Sequence, residues 1–404
     1  MIFWDFMTPQ TIDWIEAHKD DDTSALRLKY HGMSEDVSGI DYTYAILQVE
    51  CRRKAAKKLA STLRCRAFEF PTALSAEQST SDRLAAFHAS MIPQGASVVD
   101  LTSGLGIDVF HFAGLASHVT AVEIDPVVAG ALINNAAVLG LDNINVVNAD
   151  CRDFLADLPH YDVAFIDPAR RGDGGRRLYA LEECRPNIIE MIPSLSRCCG
   201  TLVVKMSPML DVTAVCRQLS PYIVKLIAIG DRHECKELVA VLDFNANMQF
   251  EDVSLQAVTL MHDDGLHRLV FTDQERRSAE PDYAEPSIGD MIIEPYPSVM
   301  KMAPWNVVCD RYGLSALHPN SHLYIGKDDC SEIGVNYTVK DVIPYSSSEI
   351  KRLARRYPRL SVATRNFPLN ADALRKKLHV ADADAPRLYA TTLLDGLKVM
   401  IIAS

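Results

Sequence analysis

Residues 97–108 constrain the fold of this chain more than any other stretch. They begin with the β-branched pair Val98-Val99, typical of a buried strand, and continue through a turn of small residues, Thr102-Ser-Gly-Leu-Gly106. Apolar residues at helical spacing follow from Ile107. A strand, a tight glycine turn and a helix are how an α/β sheet presents backbone N–H groups to a ligand. The stretch therefore predicts a parallel α/β sheet with a ligand site at this turn.

Strands and helices alternate from this stretch to about residue 245, as in an open parallel sheet. Seven strands are predicted, at 97–101, 118–124, 144–148, 161–167, 200–206, 222–230 and 236–244. The last two are joined by residues 230–235, which leave no room for a helix. They should therefore pair as an antiparallel hairpin at one edge of the sheet.

Other patterns surround this region. Helices are predicted in the first 75 residues, at 11–18 and 44–63, and strands are predicted within 249–273. The charged stretch 273–285 predicts a loop. The last 70 residues predict the order β-α-β-α-β-β, with a hairpin turn at Asp395-Gly396. We predict four parts: a helical domain at 1–75, the α/β domain at 76–245, and two α+β modules at 246–334 and 335–404.

Composition and charge limit the class of protein. No apolar run approaches the roughly 18 residues of a membrane span, the N-terminus lacks the basic region of a signal peptide, and the ten cysteines form no C-x-x-C pair. These features predict a cytoplasmic protein with no membrane contact and no structural metal. The net charge is −12, yet residues 335–404 carry 12 Lys/Arg and 6 Asp/Glu. This basic region predicts either contact with a polyanion or a solvated helix face.

Carboxylates stand at the ends of four predicted strands: Asp100, Glu123, Asp150 and Asp167. Glu123 is placed to accept both hydroxyl protons of a ribose, and Asp150 to accept from an adenine amino group. A nucleotide is therefore the indicated ligand, although a plain structural turn stays possible. The third glycine of the G-x-G-x-x-G pattern is replaced by Val109, which argues against a nicotinamide dinucleotide.

Together these residues resemble the class I S-adenosylmethionine-dependent methyltransferases, over about residues 95–245. The resemblance implies a Rossmann-like seven-stranded domain with S-adenosyl-L-methionine as cofactor. Thr102 stands where the first motif of that family usually has a glycine. The cofactor-binding residues that it implies are Gln78, Thr80, Asp100, Thr102, Gly104, Gly106, Glu123, Ile124, Asp150, Cys151 and Asp167.

A narrower resemblance takes in the whole chain. Its motifs are Glu77-Gln-Ser-Thr-Ser81, Asp167-Pro-Ala-Arg-Arg171, Glu294-Pro-Tyr-Pro-Ser298 and Ala363-Thr-Arg-Asn-Phe367. They are similar to a bacterial group of methyltransferases that have a ferredoxin-like piece followed by a THUMP-like C-terminal domain. The resemblance makes 246–334 the ferredoxin-like module and 335–404 the THUMP-like module. It implies an RNA substrate, either tRNA or rRNA.

The Asp167-Pro168 pair is the candidate catalytic site. Asp167 would accept a hydrogen bond or a proton from the substrate, although it could instead only cap the turn before Pro168. Arg170 is a further catalytic candidate, because a guanidinium can stack on a base or hold a phosphate. Substrate binding is predicted for four basic residues: Arg170, Arg171, Arg176 and Lys205.

Methylation of a base nitrogen is the favoured reaction, and several alternatives stay open. Ribose 2′-O methylation could use Asp167, Lys205 and Glu237, but the first lysine of that catalytic set is absent, with only Arg83 nearby. Uracil C5 methylation needs a cysteine after the fifth strand, where residues 205–209 have none. A non-catalytic RNA-binding protein with a degenerate fold and a small-molecule methyltransferase are the remaining hypotheses.

Overall fold

The computed structural model describes residues 7–33, 39–155, 159–168, 181–263 and 265–404. The chain divides into two compact units. The first contains residues 1–206 and 241–246, and the second contains residues 207–240 and 247–404.

The first unit begins with short helices that have polar caps. Thr8, Asp22 and Asp41 each accept a hydrogen bond from a backbone N–H of the helix that follows, which fixes where the first three helices begin. These helices are α1 (Pro9–Ala17), α2 (Thr23–Lys29) and α3 (Tyr42–Ala55), and they are followed by α4 (Ala73–Gln78) and α5 (Asp82–Ala89).

The helix predicted at 44–63 is shorter than expected. α3 ends at Ala55, and the chain then forms a 3₁₀ turn at Thr62–Arg64. The carboxylate of Asp82 accepts hydrogen bonds from the backbone N–H groups of Ser61 (2.7 Å) and Thr62 (3.1 Å). These bonds hold the segment against α5, so its backbone groups find partners outside a continuous helix.

The sheet of the first unit has the strand order β3-β2-β1-β4-β5, and all four strand pairs are parallel. Its strands agree with the predicted bounds within one residue at either end: β1 (Ser97–Asp100), β2 (His118–Glu123), β3 (Ile144–Asn148), β4 (Tyr161–Ile166) and β5 (Cys199–Met206). The connecting helices are α6 (Ile107–Ala113), α7 (Pro126–Val138), α8 (Cys151–Phe154) and α9 (Ile188–Cys198). The order reverses between β1 and β4, and such a switch point opens a crevice at the carboxyl ends of the strands.

β7 (Cys235–Asp243) has residues in both units, and in the second unit it neighbours β6 (Ile223–Gly230). The predicted hairpin therefore forms, but its place at the sheet edge was wrong. β8 (Ser254–Leu260) pairs in parallel with β6, and β9 (Leu266–Phe271) pairs antiparallel with β8. The apolar run of β8 is almost entirely buried, which a strand outside the sheet could not achieve. α10 (Val212–Leu219) precedes β6.

The stretch predicted as a loop from residue 273 instead begins with α11 (Asp273–Ser278). Thr272 caps this helix by accepting from the backbone N–H of Glu275. The buried carboxylate of Asp273 pairs with Arg276 and Arg277, one turn further along. Charges at this spacing stabilise a helix, and this is why a charged sequence is helical here.

The second unit also contains a seven-stranded sheet of order β11-β12-β10-β13-β16-β15-β14. Its elements are β10 (Met291–Pro295), α12 (Pro297–Met302), α13 (Trp305–Tyr312), β11 (Ser315–Ala316), β12 (Tyr324–Gly326), β13 (Gly334–Pro344), α14 (Ser347–Arg356), β14 (Ser361–Thr364), α15 (Ala371–Leu378), β15 (Arg387–Thr392) and β16 (Lys398–Ala403). The order β-α-β-α-β-β predicted for the last 70 residues is confirmed. Gly396, in the turn between β15 and β16, has a φ of 89°.

Two sequence motifs meet on this second sheet. Glu294 of β10 accepts from Arg365 (3.0 Å), from Arg387 (2.7 Å) and from the hydroxyl of Tyr389 (2.8 Å). Tyr389 is fully buried, and the carboxylate is largely buried. Glu294 therefore links the motif at residues 294–298 to Arg365 of the motif at residues 363–367.

None of the helices in the described part of the chain is long and apolar enough to cross a membrane. No group of three or more His, Cys, Asp or Glu side chains within the described ranges is arranged to hold a metal ion.

Candidate active site

A cavity of about 1460 Å³ lies at the switch point, and its lining belongs entirely to the first unit. The ends of β1, β2, β4 and β5 border it, together with the segment after α4. It brings together thirteen of the residues that the sequence selected: Gln78, Thr80, Asp100, Thr102, Gly104, Gly106, Glu123, Ile124, Asp150, Cys151, Asp167, Pro168 and Lys205. Residues far apart in sequence thus share one site.

The glycine turn after β1 has the conformation that its sequence requires. Gly104 and Gly106 have positive φ angles of 52° and 89°, which side chains rarely adopt. At Gly106 a Cβ atom would also lie 2.8 Å from Cζ of Phe110. The carboxylate of Asp100 accepts from the backbone N–H of Thr102 (2.9 Å) and so closes the turn at its start.

Glu123, at the end of β2, is tied to this turn. Its Oε2 accepts from the backbone N–H of Gly104 (2.8 Å), and its Oε1 accepts from the backbone N–H of Asp125 (2.8 Å). Each carboxylate oxygen can accept more than one hydrogen bond, so both oxygens keep acceptor capacity. The neighbouring Ile124 is 65% exposed inside the cavity lining, which leaves an apolar surface beside the carboxylate.

Asp150 caps α8 by accepting from the backbone N–H of Arg152 (2.9 Å), and it also pairs with the guanidinium of Arg152. The hydrogen bond from this guanidinium lowers the pKa of Asp150, so the carboxylate is ionised at neutral pH. Cys151 is buried, and burial raises the pKa of its thiol to about 11. Cys151 is therefore a neutral apolar neighbour of the cavity.

Asp167 is held at two points. Its backbone N–H donates to Oγ1 of Thr102 (2.7 Å), and its Oδ2 accepts from Nζ of Lys205 (2.8 Å). Thr102 stands where the methyltransferase family that the sequence resembles usually has a glycine. Its hydroxyl accepts a hydrogen bond that a glycine could not accept. The carboxyl group is 30% exposed, while the side chain of Lys205 is 5% exposed. Oδ1 of Asp167 has no hydrogen-bond partner within the described part of the chain.

Sequence reasoning missed two residues of the site, His88 on α5 and Asp108 on α6. The carboxylate of Asp108 contacts Nδ1 of His88 (2.7 Å) and the hydroxyl of Thr80 (2.6 Å), and Nζ of Lys205 donates to the same hydroxyl (2.9 Å). The available signal was that each residue occupies a position of a helix that faces the core, where a charged group needs a partner.

The two buried aspartates next to the turn have opposite pKa shifts. Burial raises the pKa of Asp100 well above its usual range, and the nearby carboxylates of Asp108 and Asp167 add to the rise. Burial also opposes ionisation of Asp108, but the charge and the hydrogen bond of His88, with Lys205 and Thr80, lower its pKa to about 2. Asp108 is therefore the ionised carboxylate of the pair.

The basic run at residues 52–58 makes intramolecular contacts. Lys58 donates to the carbonyl oxygens of Glu77 (2.8 Å) and Ser79 (2.9 Å), and this holds the segment that carries Thr80. Arg52 donates to the carbonyl oxygen of Arg66 (2.8 Å).

Three of the predicted residues, Arg170, Arg171 and Arg176, lie outside the described residues. Glu237 is buried on β7 in the second unit. Gln78 lines the cavity but is largely exposed.

Comparison with known proteins adds two family matches. Residues 334–404 match the family described as THUMP domain-like, and residues 292–332 match a ferredoxin-like domain. The four predicted boundaries themselves, at 1–75, 76–245, 246–334 and 335–404, stay a prediction.

Two similar proteins carry methyltransferase names. A stretch of 85 residues is 40% identical to ribosomal RNA small subunit methyltransferase J of Laribacter hongkongensis (strain HLHK9), and it spans 19% of this chain and 30% of that protein. The crystal structure of a "putative methyltransferase" from Porphyromonas gingivalis W83 superposes with a TM-score of 0.86 at 28% identity, covering 97% of this chain and 96% of the other. The resemblance drawn from the sequence is confirmed: this chain shares a methyltransferase-type fold and carries ferredoxin-like and THUMP-like C-terminal domains.

Proposed function

We propose that this protein is an S-adenosylmethionine-dependent methyltransferase that modifies RNA. The observation that carries the proposal is the set of carboxylates Asp100, Glu123, Asp150 and Asp167 around one cavity at the switch point of the sheet. Ligands of α/β sheets bind at such crevices. The four acidic ends match the four groups that the resemblance to class I methyltransferases assigns to cofactor and acceptor.

The residues present fit the cofactor. Glu123 would hold the ribose hydroxyls, Asp150 would accept from the adenine amino group, and the exposed face of Ile124 would contact the ring. Gly104 and Gly106 leave room for close approach of the ligand to the backbone. When bound, the cofactor supplies an activated methyl group on a sulfonium. Methyl transfer is an in-line displacement, so the main contribution of the protein is to align the acceptor.

Asp167 would align the acceptor. Its Oδ2 is engaged by Lys205, while Oδ1 faces no described partner and would accept from an N–H of a base. The methylated nitrogen would lose its N–H proton, which Asp167 would accept or pass to water, while the methyl donor would leave as neutral S-adenosylhomocysteine. Pro168 would stiffen the turn that follows, and Arg170, Arg171, Arg176 and Lys205 would contact the substrate.

Ribose 2′-O methylation is the second candidate. The observation that favours it is the 2.8 Å contact between Lys205 and Asp167, which are two of the residues used by ribose-methylating relatives. We favour the base nitrogen because the first lysine of that set has no counterpart near residues 80–90, where only Arg83 is found.

RNA is the proposed acceptor for three reasons. One relative with local similarity is named for the methylation of ribosomal RNA, and the C-terminal domain is THUMP-like. The charge of that domain also suits a polyanion, with 12 Lys/Arg and 6 Asp/Glu over residues 335–404. A tRNA or rRNA substrate would place the protein in the cytoplasm.

The cofactor assignment is tested by calorimetry with S-adenosylhomocysteine. We expect Asp150→Ala to weaken binding roughly tenfold or more, because a hydrogen bond to a charged group is lost. Asp153→Ala is the matched control, since Asp153 lies on the same short helix outside the cavity lining. Equal affinity of wild type and Asp150→Ala, or no binding to wild type, would remove the basis for the assignment.

The acceptor is tested by mass spectrometry of RNA nucleosides. A strain that lacks the gene is compared with its parent and with strains that carry wild type or Asp167→Asn. We expect one methylated base to disappear in the deletion strain, to return with wild type and to stay absent with Asp167→Asn. Loss of a ribose-methylated nucleoside would favour the second candidate, and an unchanged profile would contradict an RNA acceptor.

A further inference from the structure

Four buried side chains form a line that ends at Asp167. His88, Asp108, Thr80 and Lys205 are 1–9% exposed. Consecutive contacts measure 2.7 Å from His88 to Asp108, 2.6 Å from Asp108 to Thr80, 2.9 Å from Thr80 to Lys205 and 2.8 Å from Lys205 to Asp167. We call this set the buried polar line. The proposed function uses only Lys205 of this line, together with Asp167 at its end.

The chemistry of the groups fixes the direction of each hydrogen bond. An ionised carboxylate can only accept and an ammonium can only donate. The single hydroxyl proton of Thr80 must therefore point to Asp108, and the oxygen of Thr80 must accept from Lys205. Lys205 in turn donates to Asp167. An ionised Asp108 thus determines the position of every proton along the line.

We infer that His88, Asp108 and Thr80 are positioning residues that hold the Lys205 ammonium against Oδ2 of Asp167 and so fix which oxygen of Asp167 meets the acceptor. The inference rests on the proposed function for the role of Asp167. It also changes the role predicted for Thr80. Both the donor and an acceptor site of its hydroxyl are engaged inside the protein, which favours a positioning role over direct contact with the cofactor.

Variants of Thr80 separate the hydroxyl from the shape of the side chain. Thr80→Val keeps the volume and removes the hydroxyl, so Lys205 loses an acceptor and Asp108 loses a donor. Thr80→Ser keeps the hydroxyl and removes a methyl group. Asp108→Asn removes the charge at the inner end of the line. If Thr80→Val fails to fold, Thr80→Ala removes the same hydroxyl without its bulk.

The direct readout is NMR of the full chain labelled with ¹⁵N-lysine. We expect the ammonium of Lys205 to give a slowly exchanging signal, assigned by its loss in Lys205→Arg, because the group is buried and hydrogen-bonded. The signal should persist in Thr80→Ser, and it should vanish or exchange at least tenfold faster in Thr80→Val and Asp108→Asn. Persistence of the signal in both of those variants, or its absence from wild type, would overturn the inference.

A kinetic readout tests the catalytic consequence on the RNA found by nucleoside analysis. Thr80→Val should lower kcat tenfold or more with less than a threefold change in KM for S-adenosylmethionine, and Thr80→Ser should restore kcat. A rise in KM alone would instead return Thr80 to the cofactor site and overturn the positioning role. Calorimetry of the wild type with S-adenosylhomocysteine separates the two proposals. If wild type fails to bind S-adenosylhomocysteine, the proposed function falls, while the lysine signal still decides the geometry of the line.

Discussion

The ionisation of Asp108 should stabilise the first unit at neutral pH. The pKa of this carboxyl falls from its ordinary value of 3.8 to about 2 in the folded chain. Each unit of difference between folded and unfolded states corresponds to about 1.4 kcal/mol, so the contribution is roughly 2 kcal/mol. The groups that face this carboxylate are His88, Thr80, Lys205 and the second buried aspartate, Asp100.

The sign of the pH dependence follows from the direction of the shift. A lowered pKa in the folded state gives stability that is fully present above about pH 4. That stability is lost as the pH falls through about 2, since the unfolded chain takes up the proton first. Asp108→Asn removes the titrating group. We therefore expect the variant to be less stable than wild type by roughly 2 kcal/mol at pH 7 and by about half that difference at pH 3.

Tryptophan fluorescence makes the measurement specific for the first unit. Of the three tryptophans, Trp14 lies in that unit, Trp305 lies in the second, and Trp4 lies outside the described residues. Urea unfolding is followed in a Trp4→Phe/Trp305→Phe background, with and without Asp108→Asn, at pH 7, 4 and 3. Equal stability of the two proteins at pH 7 would refute the reasoning, as would a difference that stays constant from pH 7 to pH 3.

Three further predictions concern the turn and the second unit. Gly104→Ala should lower the free energy of unfolding by roughly 1 kcal/mol, because residue 104 has a positive φ. Gly106→Ala should lower it by roughly 2–4 kcal/mol, because the added Cβ also clashes with Phe110. Urea unfolding of the two variants measures both losses, and equal losses would contradict the clash. Asp100→Asn should raise the thermal midpoint at pH 7. The pKa of Asp100 is raised in the folded chain, so the stability of the wild type falls as the pH rises above about 4, where the unfolded chain ionises. The variant should also weaken binding of S-adenosylhomocysteine, and a lower midpoint would be evidence against the raised pKa. Glu294→Gln should destabilise the second unit by roughly 2 kcal/mol, because two arginines lose their shared carboxylate. The fluorescence of Trp305 follows the unfolding of this unit in urea. An unchanged transition would show that the arginines need no partner.

The strands around the site could be predicted because each is a short apolar run bounded by turn residues. The run at 144–148 has the predicted bounds, and that at 97–101 ends one residue early. The register of parallel strands then brings their carboxyl ends to one edge. For this reason Asp100, Glu123, Asp150 and Asp167 could be placed together without any knowledge of side-chain contacts.

The buried polar line could not be predicted in the same way. Thr80 and Lys205 are 125 positions apart, and their contact depends on how the segment between α4 and α5 meets β5. His88 and Asp108 each look like an isolated polar residue within an apolar pattern, because nothing in the local sequence names a partner. α11 was missed for a related reason. Its pairs between Asp273 and the two arginines are local, but a short charged sequence without an apolar stripe also fits a loop.

Two threonines together explain why Asp167 is suited to a fixed acceptor geometry. The hydroxyl of Thr102 holds the backbone N–H of Asp167, and the hydroxyl of Thr80 holds the lysine that contacts its carboxylate. A glycine at position 102, as in the related family, would leave that N–H without this acceptor. The carboxylate is thus constrained through both its main chain and its side chain, while its second oxygen faces the cavity without a described partner. An aspartate that only capped the turn before Pro168 would need neither constraint, so the double constraint favours a catalytic role for Asp167.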